Sequence, residues 1–274
     1  MKKLLFVLFL LGTAAFGDTL AIVNKGTALP KIIIKDKSDL RDKNLQKNFY
    51  NLILNDLKVS SNFEVLEKGD EKGNYVFEYT LSKNDNALSL NVIVKADSAI
   101  KSSRNYGLNN LEQYPFLAHK GVKGSVKDLG LAPIEWMDHK IVISRANGSG
   151  KSQIVMADYT LTYQIVLVDG GLNLFPKWAN QEQSAFYYTA YDHKIPTLYR
   201  FDLATGTPTR IISSGGMLVA SDVSKDGNKI LLTMAPSDQP DVHIYDLRTK
   251  SLQKITQYSG VDVNAQFVEN EKKI

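Results

Sequence analysis

The chain has 274 residues, 43% hydrophobic and 23% charged, a globular balance that excludes a disordered tract, a collagen or a coiled-coil rod. Lys and Arg number 33 against 29 acids, a formal charge of +4 that falls to +2 once Lys2 and Lys3 are set aside as part of a leader; that is too even for a nucleic-acid surface. Without a cysteine, disulfides, thiol catalysis and thiolate metal sites are excluded.

Lys2 and Lys3 precede the apolar run LLFVLFLLGTAAFG, which ends in small residues. Positive start, apolar middle and Ala15-Phe16-Gly17 together read as a signal peptide over 1–17, cleaved before Asp18. The run falls short of the roughly twenty residues a membrane span needs. No cysteine follows it to carry a lipid. The expectation is an exported protein stabilised by its core alone.

Residues 18–132 read as an α/β domain. Leu20, Ile22 and Val23, then Ile32-Ile33-Ile34, are strand-like runs separated by Gly26 and Pro30. Ser38-Asp39 is the expected helix cap, with Asp39 and Asp42 in the first turn. Leu45, Phe49, Leu52, Ile53 and Leu57 then form one apolar stripe at helical spacing. Phe63, Val65 and Leu66 return to strand character. A hairpin follows, 75–79 and 88–94, around the turn residues Asn84-Asp85-Asn86. A second helix is expected over Pro115–Leu129, although Gly121 and Gly124 weaken it.

Over 133–274 the helical period vanishes and a repeat emerges. HKIVISR (139–145), QSAFYYT (183–189), NKILLTM (228–234) and EKKI (271–274) open successive units. The apolar residues Ile141, Ala185, Ile230 and Ile274 within them are spaced 44, 45 and 44. Asp158, Asp202 and Asp246 are spaced 44 and 44, and Trp178, Val223 and Phe267 are spaced 45 and 44. Three anchors on one period of short strands predict β-propeller blades, three of them and the opening of a fourth. Closed propellers have about four to eight blades, so the chain reads as part of a longer ring; closure through a second copy is the alternative.

Ser224-Lys225-Asp226-Gly227-Asn228-Lys229-Ile230 resembles the "SPDGKKI" blade element of the TolB family, with lysine in place of proline. Pro176-Lys177-Trp178 resembles the family's "P-x-W". Val242–Leu247 with Leu252–Thr256 resembles its blade core, and Val155-Met156-Ala157-Asp158-Tyr159 its first-blade "ADYDG", with Thr160-Leu161 in place of the acid and glycine. The blade motif is shared with propeller domains of some peptidases. Export signal, α/β domain and blades in that order resemble the layout of the TolB family.

The resemblance implies an α/β domain followed by a six-bladed all-β propeller. It implies a non-catalytic periplasmic scaffold of the Tol-Pal envelope system of Gram-negative bacteria, without cofactor. Such a scaffold binds the peptidoglycan-associated lipoprotein Pal and the C-terminal domain of TolA, for outer-membrane integrity and envelope constriction at division. By position, the TolA-binding segment is the mature N-terminus, Asp18, Thr19, Leu20, Ala21, Ile22, Val23, Asn24 and Lys25. It is short, extended and apolar, suited to joining a partner sheet as an edge strand, or equally to serving as the first strand of its own domain. The Pal-facing loops are 213–220 and 259–263, with Met217, Ala220 and Val263 as contact candidates; the family often has a histidine at the position of Met217. Gly215-Gly216 are expected to supply positive φ.

The rival function is the propeller of an exported peptidase whose catalytic domain lies elsewhere; no G-x-S-x-G supplies its nucleophile here. A glycan-binding propeller is a third reading, invited by Phe186-Tyr187-Tyr188, which fit blade packing better. Gly148-Ser149-Gly150-Lys151-Ser152 looks like a phosphate loop, yet it leads into a strand and reads as a hairpin turn. His119, His139, His193 and His243 have no metal-ligand spacing. Lys120, Lys123 and Lys127 read as a solvated helix face.

Overall fold

A computed structural model describes residues 28–66, 73–191 and 195–274. Its N-terminal part is a five-stranded sheet with two helices. The elements are β1 (Lys31–Asp36), α1 (Lys43–Val59), β2 (Glu64–Val65), β3 (Tyr75–Asn84), β4 (Ala87–Ala96), β5 (Ala99–Leu108) and α2 (Tyr114–Asp128). The strand order is β2-β1-β3-β4-β5, parallel at β2-β1 and β1-β3 and antiparallel beyond.

The predicted stripe of α1 is its buried face, and it meets Ile32, Phe77, Tyr79 and Leu81 of the sheet in one core. The cap is not where Ser38-Asp39 suggests. Asp42 caps α1 by accepting the N–H of Leu45 at 3.0 Å. Ser38 is otherwise engaged, its Oγ accepting the N–H of Leu81 in β3 at 2.8 Å. The hairpin forms around Asp85, at φ 53°. A second hairpin, turning at Asp97 and Ser98 with φ 49° and 65°, adds β5. The glycines of α2 lie where the helix crosses the sheet most closely. A Cβ on Gly121 would stand 2.9 Å from Leu90, and one on Gly124 would stand 2.0 Å from the Tyr106 hydroxyl.

Three antiparallel sheets follow. The first holds β6 (Ile141–Ala146), β7 (Ser152–Ala157) and β8 (Gln164–Val168). The second runs β12-β11-β10-β9, from β9 (Asn173–Trp178) through β10 (Ala185–Ala190) and β11 (Thr197–Asp202) to β12 (Thr207–Ser213). The third runs β13 (Leu218–Val223), β14 (Lys229–Met234), β15 (Asp241–Asp246) and β16 (Leu252–Lys254). The predicted unit openings are β6, β10 and β14.

Every residue of β10 is buried, because the second sheet has a neighbour on each face. Ala185 and Tyr187 pack with Leu218, Ala220 and Leu232 of the third sheet. Phe186 and Tyr188 pack with Ile154 of the first. The aromatic triplet is therefore inter-sheet core and presents no face to a glycan. The spaced aspartates close the turns that follow their strands: Asp202 accepts the N–H groups of Ala204 and Thr205, and Asp246 those of Arg248 and Thr249. The Gly148–Ser152 stretch is the β6–β7 turn, with Gly148 and Gly150 at φ 102° and 65°.

The expected opening strand of a fourth unit is not formed. Residues 271–274 contribute one bridge, Lys273 to Val268, since a blade strand needs a neighbouring strand and only Val268 is offered. Among the described residues no helix is long and apolar enough to cross a membrane.

Candidate functional site

The N-terminal candidates Asp18–Lys25 lie outside the described residues, as does His193. The other candidates fall at one end of the three sheets. Thr189 Oγ1, near the end of β10, donates to the carbonyl of Leu218 at the start of β13 at 2.7 Å. Ser144 Oγ, in β6, donates to the carbonyl of Asn173 at the start of β9 at 2.7 Å. Loops 213–218, 234–241 and 255–263 meet at this end, where the Ala235 N–H donates to the Met217 carbonyl at 2.9 Å and the Asp262 N–H to the Pro240 carbonyl at 3.1 Å.

Met217 is 39% exposed and Val263 48% exposed at this end. Ala220 is buried; it packs with Ala185 and Leu232 between the sheets, because it lies two residues inside β13 rather than in the loop. Its side chain supports the loop and does not reach a partner. Gly215 and Gly216 have no positive φ. Gly216 serves close approach instead, since a Cβ there would stand 2.1 Å from the Ala235 carbonyl. Gln239 Nε2 holds the neighbouring loop by donating to the Gly260 carbonyl at 2.9 Å. Ile195, Tyr258 and Val261 also expose apolar surface at this end. Val261 falls in the expected 259–263 loop, whereas Ile195 and Tyr258 lie outside the expected loops, although an isoleucine beside a proline in a turn is a visible oddity.

The opposite end meets the helical layers through a buried polar cluster. His119 of α2 is fully buried. Its Nδ1 lies 2.8 Å from a carboxylate oxygen of Asp56 in α1, and its Nε2 lies 3.2 Å from one of Asp158 after β7. Tyr159 Oη donates to the other oxygen of Asp56. Asp158 also accepts the N–H groups of Thr160, at 2.8 Å, and Tyr163.

Burial alone would push the imidazole down, but its bonds to Asp158 and Asp56 outweigh that and hold His119 up at about 9. Burial pushes Asp56 up in spite of its bonds to His119 and Tyr159. Burial would raise Asp158 as well, yet His119, Thr160 and the Tyr163 N–H together keep it below the usual carboxylate range. The cluster thus joins the His119 imidazole of α2 to Asp56 of α1 on one side and to Asp158 of the first sheet on the other. All three side chains are sealed from solvent, so no substrate reaches them and the arrangement works as a clasp.

A second tie lies beside the first. Lys123 is not part of a solvated face; its Nζ meets Asp138 at 2.7 Å and Glu135 at 3.3 Å in the segment that leads to β6. Trp136 stacks edge-on to Tyr159 at 5.2 Å in the same place. Histidine spacing could not reveal this clasp, because its three members are brought together from 56, 119 and 158 by folding. The one visible sign was Asp158 itself, which carries the repeat.

No protein-family profile matches the chain. The Tol-Pal system protein TolB of Campylobacter jejuni is 63% identical over 270 residues, 98% of this chain and 67% of that protein. The Wolinella succinogenes protein of the same name is 39% identical, covering 100% of this chain and 69% of its own length. The chain thus spans about two thirds of the curated relatives it matches. The crystal structure of TolB from Acinetobacter baumannii superposes with a TM-score of 0.71 at 19% identity, covering 86% of this chain and 62% of that one, a likeness that bears on the fold alone. On the first two comparisons, the chain belongs to the family of the Tol-Pal system protein TolB.

Proposed function

We propose that the chain is a non-catalytic scaffold of the Tol-Pal system, exported to the periplasm by its residues 1–17. The identity of 63% over nearly the whole chain to a protein named for that system carries the reading. In this reading the propeller is part of a six-bladed ring that presents loops to Pal. The mature N-terminus, Asp18–Lys25, recruits the C-terminal domain of TolA, and the two contacts serve outer-membrane integrity and constriction at division.

The loop end around Met217 and Val263 supports the Pal assignment physically. It gathers exposed apolar side chains on loops pinned by a rigid sheet stack, which limits the ordering cost of binding. It also lies at the far end of the sheets from the His119 clasp, so a partner there leaves the helical layers free.

The test is calorimetry on the full-length protein and a variant lacking Asp18–Lys25. Loss of TolA binding with Pal binding intact is the expected result. Equal loss of both would mean that the segment is a structural strand, and the TolA assignment would fall.

A further inference from the structure

Among the described residues, the sheet of the helical layers has an unfinished edge. β2 pairs with β1 only at Lys31 and Ile32. Its last bonds run from the Glu64 N–H to the Pro30 carbonyl at 3.1 Å and from the Leu66 N–H to the Ile32 carbonyl at 2.9 Å. In a parallel pair, alternate residues turn both main-chain groups to the same side. Pro30 and Ile32 face β2, and Lys37 faces the other way, donating to Tyr79 of β3 at 2.8 Å. Ile34 and Asp36 therefore direct their N–H and C=O groups outward, where no strand among the described residues receives them.

This open edge runs along a groove of about 550 Å³. Lys35 and Lys37 stand on one side of it, and Lys43, Lys47 and Tyr50 of α1 stand on the other. Among the described residues only Lys43 of these four lysines has an ion-pair partner, Asp39 at 3.1 Å. The one carboxylate of the edge strand itself is already engaged, since Asp36 accepts from Gln46 Nε2 at 2.9 Å and from the Ser38 N–H at 2.8 Å.

We propose that this edge is a docking site for an extended acidic segment of a partner protein, which adds to β1 as a further strand in line with β2. Strand addition satisfies the outward groups of Ile34 and Asp36, and carboxylates on the two faces of the added strand meet the lysines of the two walls. Lysines along an edge are also a common guard against unwanted pairing. Here the guard selects: it repels basic strands, gives neutral ones no ion pair, and attracts an acidic one. The site is distinct from the Asp18–Lys25 segment and from the loop end around Met217.

The probe is a fluorescent, end-blocked heptapeptide in which pairs of glutamates alternate with pairs of valines, so that both faces of the strand carry carboxylates, titrated into the full-length protein at low salt. Binding is expected, together with slowed hydrogen exchange across residues 33–37. Affinity should fall at least about tenfold in the Lys35→Glu/Lys47→Glu variant, and by a similar factor when alternate backbone nitrogens of the peptide are methylated. Equal affinity of the methylated peptide would reduce the effect to attraction of a polyanion and overturn strand addition. Absence of binding, or an edge already protected from exchange in the free protein, would overturn the site itself, leaving the lysines as guards of an edge the chain covers.

Discussion

His119 Nε2 and a carboxylate oxygen of Asp158 lie 3.2 Å apart, and through this contact α2 grips the turn after β7. Asp158 does in the first unit what Asp202 and Asp246 do in theirs, closing a turn through backbone N–H groups, and it also holds the histidine. Replacing His119 with alanine leaves Asp56 and Asp158 buried without their shared cation. A loss of about 3–5 kcal/mol is expected in urea unfolding. An Asp56→Leu/His119→Phe double variant should recover much of it, because Asp158 keeps its bonds to Thr160 and Tyr163. A double variant as unstable as the single one would show that the charge pair is not the source.

The pH dependence follows from the same group. An unfolded histidine titrates near ~6.5. His119 is held at about 9 in the fold, so its contribution is fully present below its unfolded value and is lost as pH rises through about 9. Asp158, held low, adds stability that is lost as pH falls through its folded value. Asp56, held high by burial, acts in the opposite sense and is relieved by acid. Unfolding midpoints measured from about pH 6 to about pH 10 should fall on the alkaline side for the natural chain and stay flatter for His119→Gln.

The three loop-end candidates should separate by experiment. Met217→Asp and Val263→Asp place charge on exposed positions, so folding should hold while Pal affinity falls by about tenfold or more. Ala220→Asp puts a carboxylate into the inter-sheet core and should lower the unfolding midpoint whatever its effect on binding. Calorimetry beside thermal unfolding distinguishes the two. Unchanged affinity in both surface variants would remove this loop end as the Pal surface.

Gly124→Ala tests the fit of α2 on the sheet. Alanine gains roughly 1 kcal/mol of helix propensity over glycine. Its Cβ would stand 2.0 Å from the Tyr106 hydroxyl and 3.0 Å from Arg104, whose guanidinium clamps Asp128. Overpacking of this kind costs about 1–3 kcal/mol, so the net effect expected in urea unfolding is a loss. A gain would mean that Tyr106 swings aside freely.

Much of the architecture was legible because periodicity reports on burial. The stripe from Leu45 to Leu57 announced α1, and the near-44-residue period announced β6, β10 and β14 before any contact was known. Asn84–Asn86 marked its hairpin because a tight turn demands residues that tolerate positive φ. Strand β5 was missed, although Asp97-Ser98 is a turn of the same kind, because its run AIKSSRNYGL is mostly polar at a sheet edge. The cap of α1 was misplaced since Ser38 and Asp42 are both good caps locally, and only β3 decides which is free.

Sequence alone determined the order of layers and the repeating turns, because hydrophobic spacing and turn chemistry act between near neighbours in the chain. Only the tertiary structure decided that Ala220 is core while Met217 is surface, that Lys123 is paired, and that no strand among the described residues extends β2 along β1. The same holds for the clasp. Asp56, His119 and Asp158 are ordinary residues in their own segments. They acquire shifted titration and a structural role only where two helices and a sheet exclude water around them, a condition no local pattern encodes.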